Sequence, residues 1–170
     1  SHVLPMRQER SLVGGGLGAG DPVAVQWNFG FTTSAQGVVG TLAGGPSSTA
    51  FNHASAIAMD ANDGVYVADT KNHCIKYVSS SGTIRTIAGT CGTANAGFVE
   101  GAGGNAKFSS PNGIAMYYDS GTSKPYVVIS DTDNHRIRLL IPDGTDPNTA
   151  TFTSSTLSGL DGTAPTQGFA

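Results

Sequence analysis

The chain writes one frame twice. "DTKNHCI" (Asp69 to Ile75) returns 62 residues later as "DTDNHRI" (Asp131 to Ile137). Around it two longer copies align, Phe51 to Gly89 and Phe108 to Gly159. Phe51 and Phe108 are 57 residues apart, as are Ala58 and Ala115, whereas Gly89 and Gly159 are 70 apart. The offset grows in two steps, near "YDSGTSKP" and near "PDGTDPNTATFTSS". Both stretches are rich in Gly, Pro, Asp and Ser, the composition of surface hairpin loops. Additions confined to turns, with the runs between them held at constant length, are the mark of a fold assembled from repeated units.

Each unit reads as short strands. "AIAMD", "GVYVADT", "CIKYVSS" and "TIRTIAG" are apolar or β-branched runs bounded by turn residues. "ANDG" (Ala61 to Gly64) predicts a tight turn between the first two, and "SSSG" (Ser79 to Gly82) closes the last hairpin. No segment carries a 3.6-residue apolar period of helical length. The expected fold is all-β, with four antiparallel strands per copy, the unit of a β-propeller blade. The composition agrees: 24 glycines and a charged fraction of 12% suit many strands and turns better than a helical bundle.

The frame "P-x-G-I-A … G-x-Y-V-A-D-T-x-N-H-x-I … G-x-I-x-T-I-A-G" resembles the NHL repeat, and "GFVEGAGGNAKFSSPNGIA" (Gly97 to Ala115) resembles that family's bridge between blades. The resemblance covers Val38 to about Ala170. Departures are the missing proline in "FNHASAIA", where the second copy has Pro111, and Cys74 at the place held by Arg136. The expected organisation is a Gly-rich leader with part of a preceding blade at 1–35 and the last strand of that blade at 36–50. A first blade with its linker follows at 51–107, a second blade at 108–160, and the start of a further linker at 161–170. Two blades do not close a ring, which takes about four to eight. Further blades of a parent polypeptide, or copies of this chain in an oligomer or filament, are therefore expected to cover its faces. Ser1 in place of Met, with no apolar leader after it, reads as a processed or excised piece.

The repeated frame reads as architecture. Asp69 and Asp131 are expected to accept backbone N–H groups in the turn between the second and third strands. Asn72 and Asn134 are expected at positive φ, and His73 and His135 to offer a ring nitrogen to a backbone group. A metal site would need three or more Asp and His ligands to converge. Copies in different blades point in different directions. "DANDG" (Asp60 to Gly64) is a faint calcium-loop pattern without the further acceptors and the closing Glu that such a loop uses. "GGGLGAG" (Gly14 to Gly20) precedes Asp21 and Pro22, not a helix, and so makes no phosphate loop. No catalytic or cofactor-binding constellation stands out. If Cys74 falls opposite Gly89 across the third hairpin, Cys91 is a diagonal neighbour at the limit of disulfide reach. A disulfide and two buried thiols are both open.

A net charge of −3 with nine Lys and Arg leaves no electrostatic footprint for nucleic acid. Lys71, Lys76, Arg85, Arg136 and Arg138 are too scattered to make one. No run approaches the 18 or so apolar residues of a membrane span. Low charge with many small polar residues favours an extracellular or cell-surface setting, while a cytoplasmic one stays open. The expected role is a non-catalytic module binding other proteins or glycans. The resemblance also allows a propeller enzyme similar to the peptidyl-amidating lyase, which would need His ligands from several blades, or an RNA-binding NHL domain.

Overall fold

The structure, a computed structural model, describes residues 40–45 and 49–159. Both of its sheets lie in one compact unit, Thr41–Ala170. The first sheet is a meander of β1 (Ala54–Met59), β2 (Val65–Asp69), β3 (Cys74–Val78) and β4 (Ile84–Ala88), neighbours in that order and antiparallel throughout. The second repeats it with β6 (Pro111–Tyr118), β7 (Pro125–Asp131), β8 (Arg136–Pro142) and β9 (Phe152–Gly159). A short strand β5 (Gly101–Ala102) adds to the edge of β9.

Equivalence extends to irregularities. The register shifts between Ala54 and Ala56 and between Pro111 and Gly113, at matching places in the first strand of each sheet. It shifts again at Ile75/Lys76 and at Ile137/Arg138. The added residues of the second copy lie in the β6–β7 loop, 119–124, and the β8–β9 loop, 143–151, so the strands pair undisturbed.

The linker before Phe108 belongs to the second sheet as well as the first, because Gly101 and Ala102 pair with Ser154 and Thr153. An outermost strand presents an open row of N–H and C=O groups, and two linker residues suffice to occupy part of it. Of the strand expected at 36–50, residues 40–45, 49 and 50 carry no ladder pairing; Gly44 and Gly45 sit at φ +86° and +154°. Residues 1–39, 46–48 and 160–170, with the leader and the next linker expected there, lie outside the described residues.

The core sits between the sheets. Alternation sends Tyr66, Ala68, Ile75 and Tyr77 of the first sheet towards Val127, Ile129, Leu140 and Phe152 of the second. Ala56, Ala58, Ile114 and Met116 pack against its flank. Phe108, fully buried, anchors the end of the linker in this layer. Hydrogen bonds cross the joint as well. Ser55 Oγ donates to Asn112 O at 2.9 Å, Thr70 Oγ1 to Pro111 O at 2.8 Å, and Arg85 to Pro147 O at 2.7 Å.

"ANDG" is the expected hairpin turn, closed by Asp60. One oxygen of its carboxylate accepts the N–H groups of Asn62 (2.8 Å) and Gly64 (2.7 Å), and the other accepts the Tyr77 hydroxyl at 2.7 Å. Gly64 is obligatory here, since a Cβ would fall 1.9 Å from the Tyr77 oxygen. Burial, then the bond to Asp60, pushes the Tyr77 phenol well above its ordinary 10.0. Burial, then the Asp60 charge, does the same to Tyr66, whose hydroxyl has no hydrogen-bond partner among the described residues. A phenol whose pKa is raised by folding contributes stability that is complete below about pH 10, where the unfolded chain keeps its protons, and lost as pH rises through the folded values. Tyr66 and Tyr77 are therefore expected to ionise only as the fold is lost. Tyrosinate absorbance and circular dichroism followed together above pH 10 check this. All five tyrosines ionised in a still-folded protein would contradict it.

Candidate functional site

The repeated frame builds the same object in both sheets. After β2 and β7 the chain makes a single 3-10 turn, Thr70–Asn72 and Thr132–Asn134. The carboxylates at its entrance, Asp69 and Asp131, are fully buried. One oxygen of Asp69 accepts the Asn52 N–H at 2.7 Å, and one of Asp131 the Ser109 N–H at 2.7 Å. Each second oxygen accepts the amide of its own Asn, Asn72 or Asn134, at 2.8 Å. The carboxylate thus ties the turn to the segment entering the first strand of the same blade.

The positive-φ position is not the asparagine. His73 (φ 54°, ψ 37°) and His135 (φ 53°, ψ 41°) hold it. The asparagine is inside the 3-10 turn with its amide committed to the aspartate, so the left-handed step falls on the next residue. Histidine is among the few non-glycine residues enriched there. His73 does offer a ring nitrogen to backbone: its Nδ1 accepts the Ser110 N–H of the second sheet at 3.0 Å, which places its proton on Nε2. His135 has no such partner among the described residues.

Sequence reasoning missed the cation facing each carboxylate. Lys76 Nζ lies 2.6 Å from Asp69, and Arg138 Nη1 lies 2.8 Å from Asp131. Both basic side chains are buried, and Arg138 is wholly so. Each also caps a backbone carbonyl just before the entering Phe, Ala50 for Lys76 and Lys107 for Arg138, and each lies over that ring, Phe51 or Phe108. Arg138 goes further. Its Nη2 donates to Val99 O at 3.0 Å, Glu100 at 2.8 Å and Ser154 Oγ at 2.5 Å, locking the linker onto β9. The signal was present: a basic residue stands seven places after the aspartate in both copies.

Cys74 and Cys91 form a disulfide, with Cα atoms 5.1 Å apart. The bond links the start of β3 to the loop after β4. Gly89, between them, sits at φ +83°, and a Cβ there would fall 3.0 Å from His73 O. Asp69, Cys74 and Cys91 bring three potential metal ligands within 4.8 Å. The sulfurs are bonded to each other and the carboxylate is paired with Lys76, so this cluster offers no thiolate site. The second copy has Arg136 in place of Cys74, stacked 3.9 Å from the Phe98 ring centroid.

Two antiparallel four-stranded meanders, stacked face to face with equivalent turns at one rim, define a pair of β-propeller blades. A family model of the NHL repeat matches residues 51–76, which span β1, β2 and the frame of the first sheet. This chain therefore carries an NHL repeat, and its second sheet repeats the same carboxylate–amide–cation turn. No curated protein matches the chain. No helix of the described residues is long and apolar enough to cross a membrane.

Proposed function

We propose that this chain is a non-catalytic NHL propeller segment that works as a protein-interaction scaffold outside the cell. One observation carries the reading: both carboxylates of the repeated frame, and the first of its two histidines, are spent on the fold. Asp69 and Asp131 each take a backbone N–H, an amide and a cation, and His73 takes a backbone N–H from the next blade. A fully buried carboxylate held by three partners is shut off from a substrate, and a ring nitrogen so engaged holds no metal. What remains for function is the surface between the turns, the usual working part of a repeat protein. The disulfide supports an oxidising compartment.

The test pairs two measurements on the purified chain. Elemental analysis is expected to find no stoichiometric metal, and incubation with an α-hydroxyglycine peptide no cleavage above background. Metal bound at one equivalent together with turnover would replace the scaffold reading with a lyase. For the compartment, alkylation of the unreduced protein is expected to add no label, and two after reduction.

A further inference from the structure

The joint between the two sheets supplies a template for a second joint. At this joint the first sheet contributes Thr70, His73 and Ile75, and the second contributes the Ser110 N–H, the Pro111 carbonyl, Ile114 and Met116. The opposite faces of the pair carry the same groups in the same places. On the far face of the second sheet stand Thr132, His135 and Ile137, the counterparts of Thr70, His73 and Ile75. On the far face of the first stand the His53 N–H, the Ala54 carbonyl, Ile57 and Met59, the counterparts of Ser110, Pro111, Ile114 and Met116.

Backbone geometry matches as well as sequence. His53 sits at φ 52° and Ser110 at 50°, so the two N–H groups leave the chain alike. What differs is cover. Ile75 is fully buried, whereas Ile137 is 37% exposed; Ile114 and Met116 pack on the core, whereas Ile57 and Met59 are 63% and 59% exposed. The ring of His135 and the N–H of His53 have no hydrogen-bond partner among the described residues. One face of the pair therefore carries one half of a joint the chain already makes, and the opposite face carries the other, each half with one hydrogen-bond donor and one acceptor.

We propose that a second copy of this chain docks head to tail, with its first sheet on the second sheet of its neighbour. His135 Nδ1 accepts the His53 N–H, Thr132 Oγ1 donates to the Ala54 carbonyl, and Ile57 and Met59 cover Ile137. Such a contact is heterologous: each copy keeps one free half, so association continues into a ring or an open chain according to the rotation at each joint. The proposal rests on the scaffold reading for its non-catalytic setting, but its test is separate from the metal and turnover measurements.

The test is sedimentation of the whole chain and two variants. Wild type is expected to gain mass with concentration. Ile57→Asp, which spoils only the head, and Ile137→Asp, which spoils only the tail, should each remain monomeric. Mixed together they should form a one-to-one heterodimer through the remaining intact head and tail, and stop there. Should Ile137→Asp fail to fold, Thr132→Arg on the exposed rim of the same face replaces it. Wild type that stays monomeric at every concentration overturns the proposal and leaves these faces to blades of another source. Single variants that still associate, or a mixture that does not, overturn it by placing the contact elsewhere. None of these outcomes alters the metal and turnover results on which the scaffold reading depends.

Discussion

Arg138→Ala is expected to lower the stability of the chain by about 3–5 kcal/mol, because it strands a buried carboxylate. Asp131 is fully buried and would keep only the Ser109 N–H and the Asn134 amide. The linker would lose its attachments at Val99, Glu100 and Lys107 in the same step. A domain of this size has a total stability of about 5–15 kcal/mol, so the loss is a large fraction of it. Urea unfolding measures it. The double variant Asp131→Ala/Arg138→Ala should cost clearly less than the sum of the two single changes, since each single change penalises the partner left behind. Additive losses would mean that the pair is not the unit described here.

The first sheet shows why arginine and lysine divide as they do. Lys76 has one carboxylate and one carbonyl to reach, and a single ammonium serves both. Arg138 spans Asp131 on one side and Glu100, Val99 and Ser154 on the other, which takes the fork of a guanidinium. Arg138→Lys should therefore retain the Asp131 contact and lose the linker contacts, giving a smaller loss than Arg138→Ala.

The repeat, its strands and the closing turns were legible because they rest on local chemistry. Insertions near Ser120 and Asp146 could fall only in loops, and Asp60 with Gly64 could make little but a tight turn. The buried cations were hidden because nothing local names their cover. Lys76 and Arg138 stand inside the largely apolar runs "CIKYV" and "RIRLL". They are covered by the entering Phe of the same blade and, over Arg138, by the linker. Asn72 was expected at positive φ on backbone preference. The structure spends its amide on Asp69 and passes the left-handed step to His73, a tertiary demand that local preference does not contain. Two residues of a Gly-rich linker carry no period, so β5 could not be foreseen. The chemistry of the site was visible as residue types, but many of their partners lie between 16 and 39 positions away (Arg138 to Ser154, Arg138 to Val99).

Breaking the Cys74–Cys91 bond is expected to cost about 3 kcal/mol, the loop-closure entropy for a separation near that of these cysteines. The two lie 17 residues apart, and the loop they close contains the whole β3–β4 hairpin. Because one covalent link is at stake, Cys74→Ala, Cys91→Ala and the double variant should lose similar amounts, and reductant should destabilise wild type while leaving all three variants where they were. A modest excess is expected for Cys74→Ala, since Cys74 is fully buried beside Asp69 and its truncation opens space there. The effect reaches beyond the hairpin. Immediately before Cys91, Gly89 N–H donates to Gly103 O at 3.0 Å and Thr90 Oγ1 to Gly104 O at 2.8 Å, so the disulfide holds the first sheet against the linker that Arg138 grips at Val99 and Glu100. Reduction should therefore raise hydrogen exchange in residues 89–105 more than in β1 and β2. A wild-type unfolding midpoint indifferent to reductant, or exchange raised evenly across the sheet, would show that the link contributes neither stability nor this coupling.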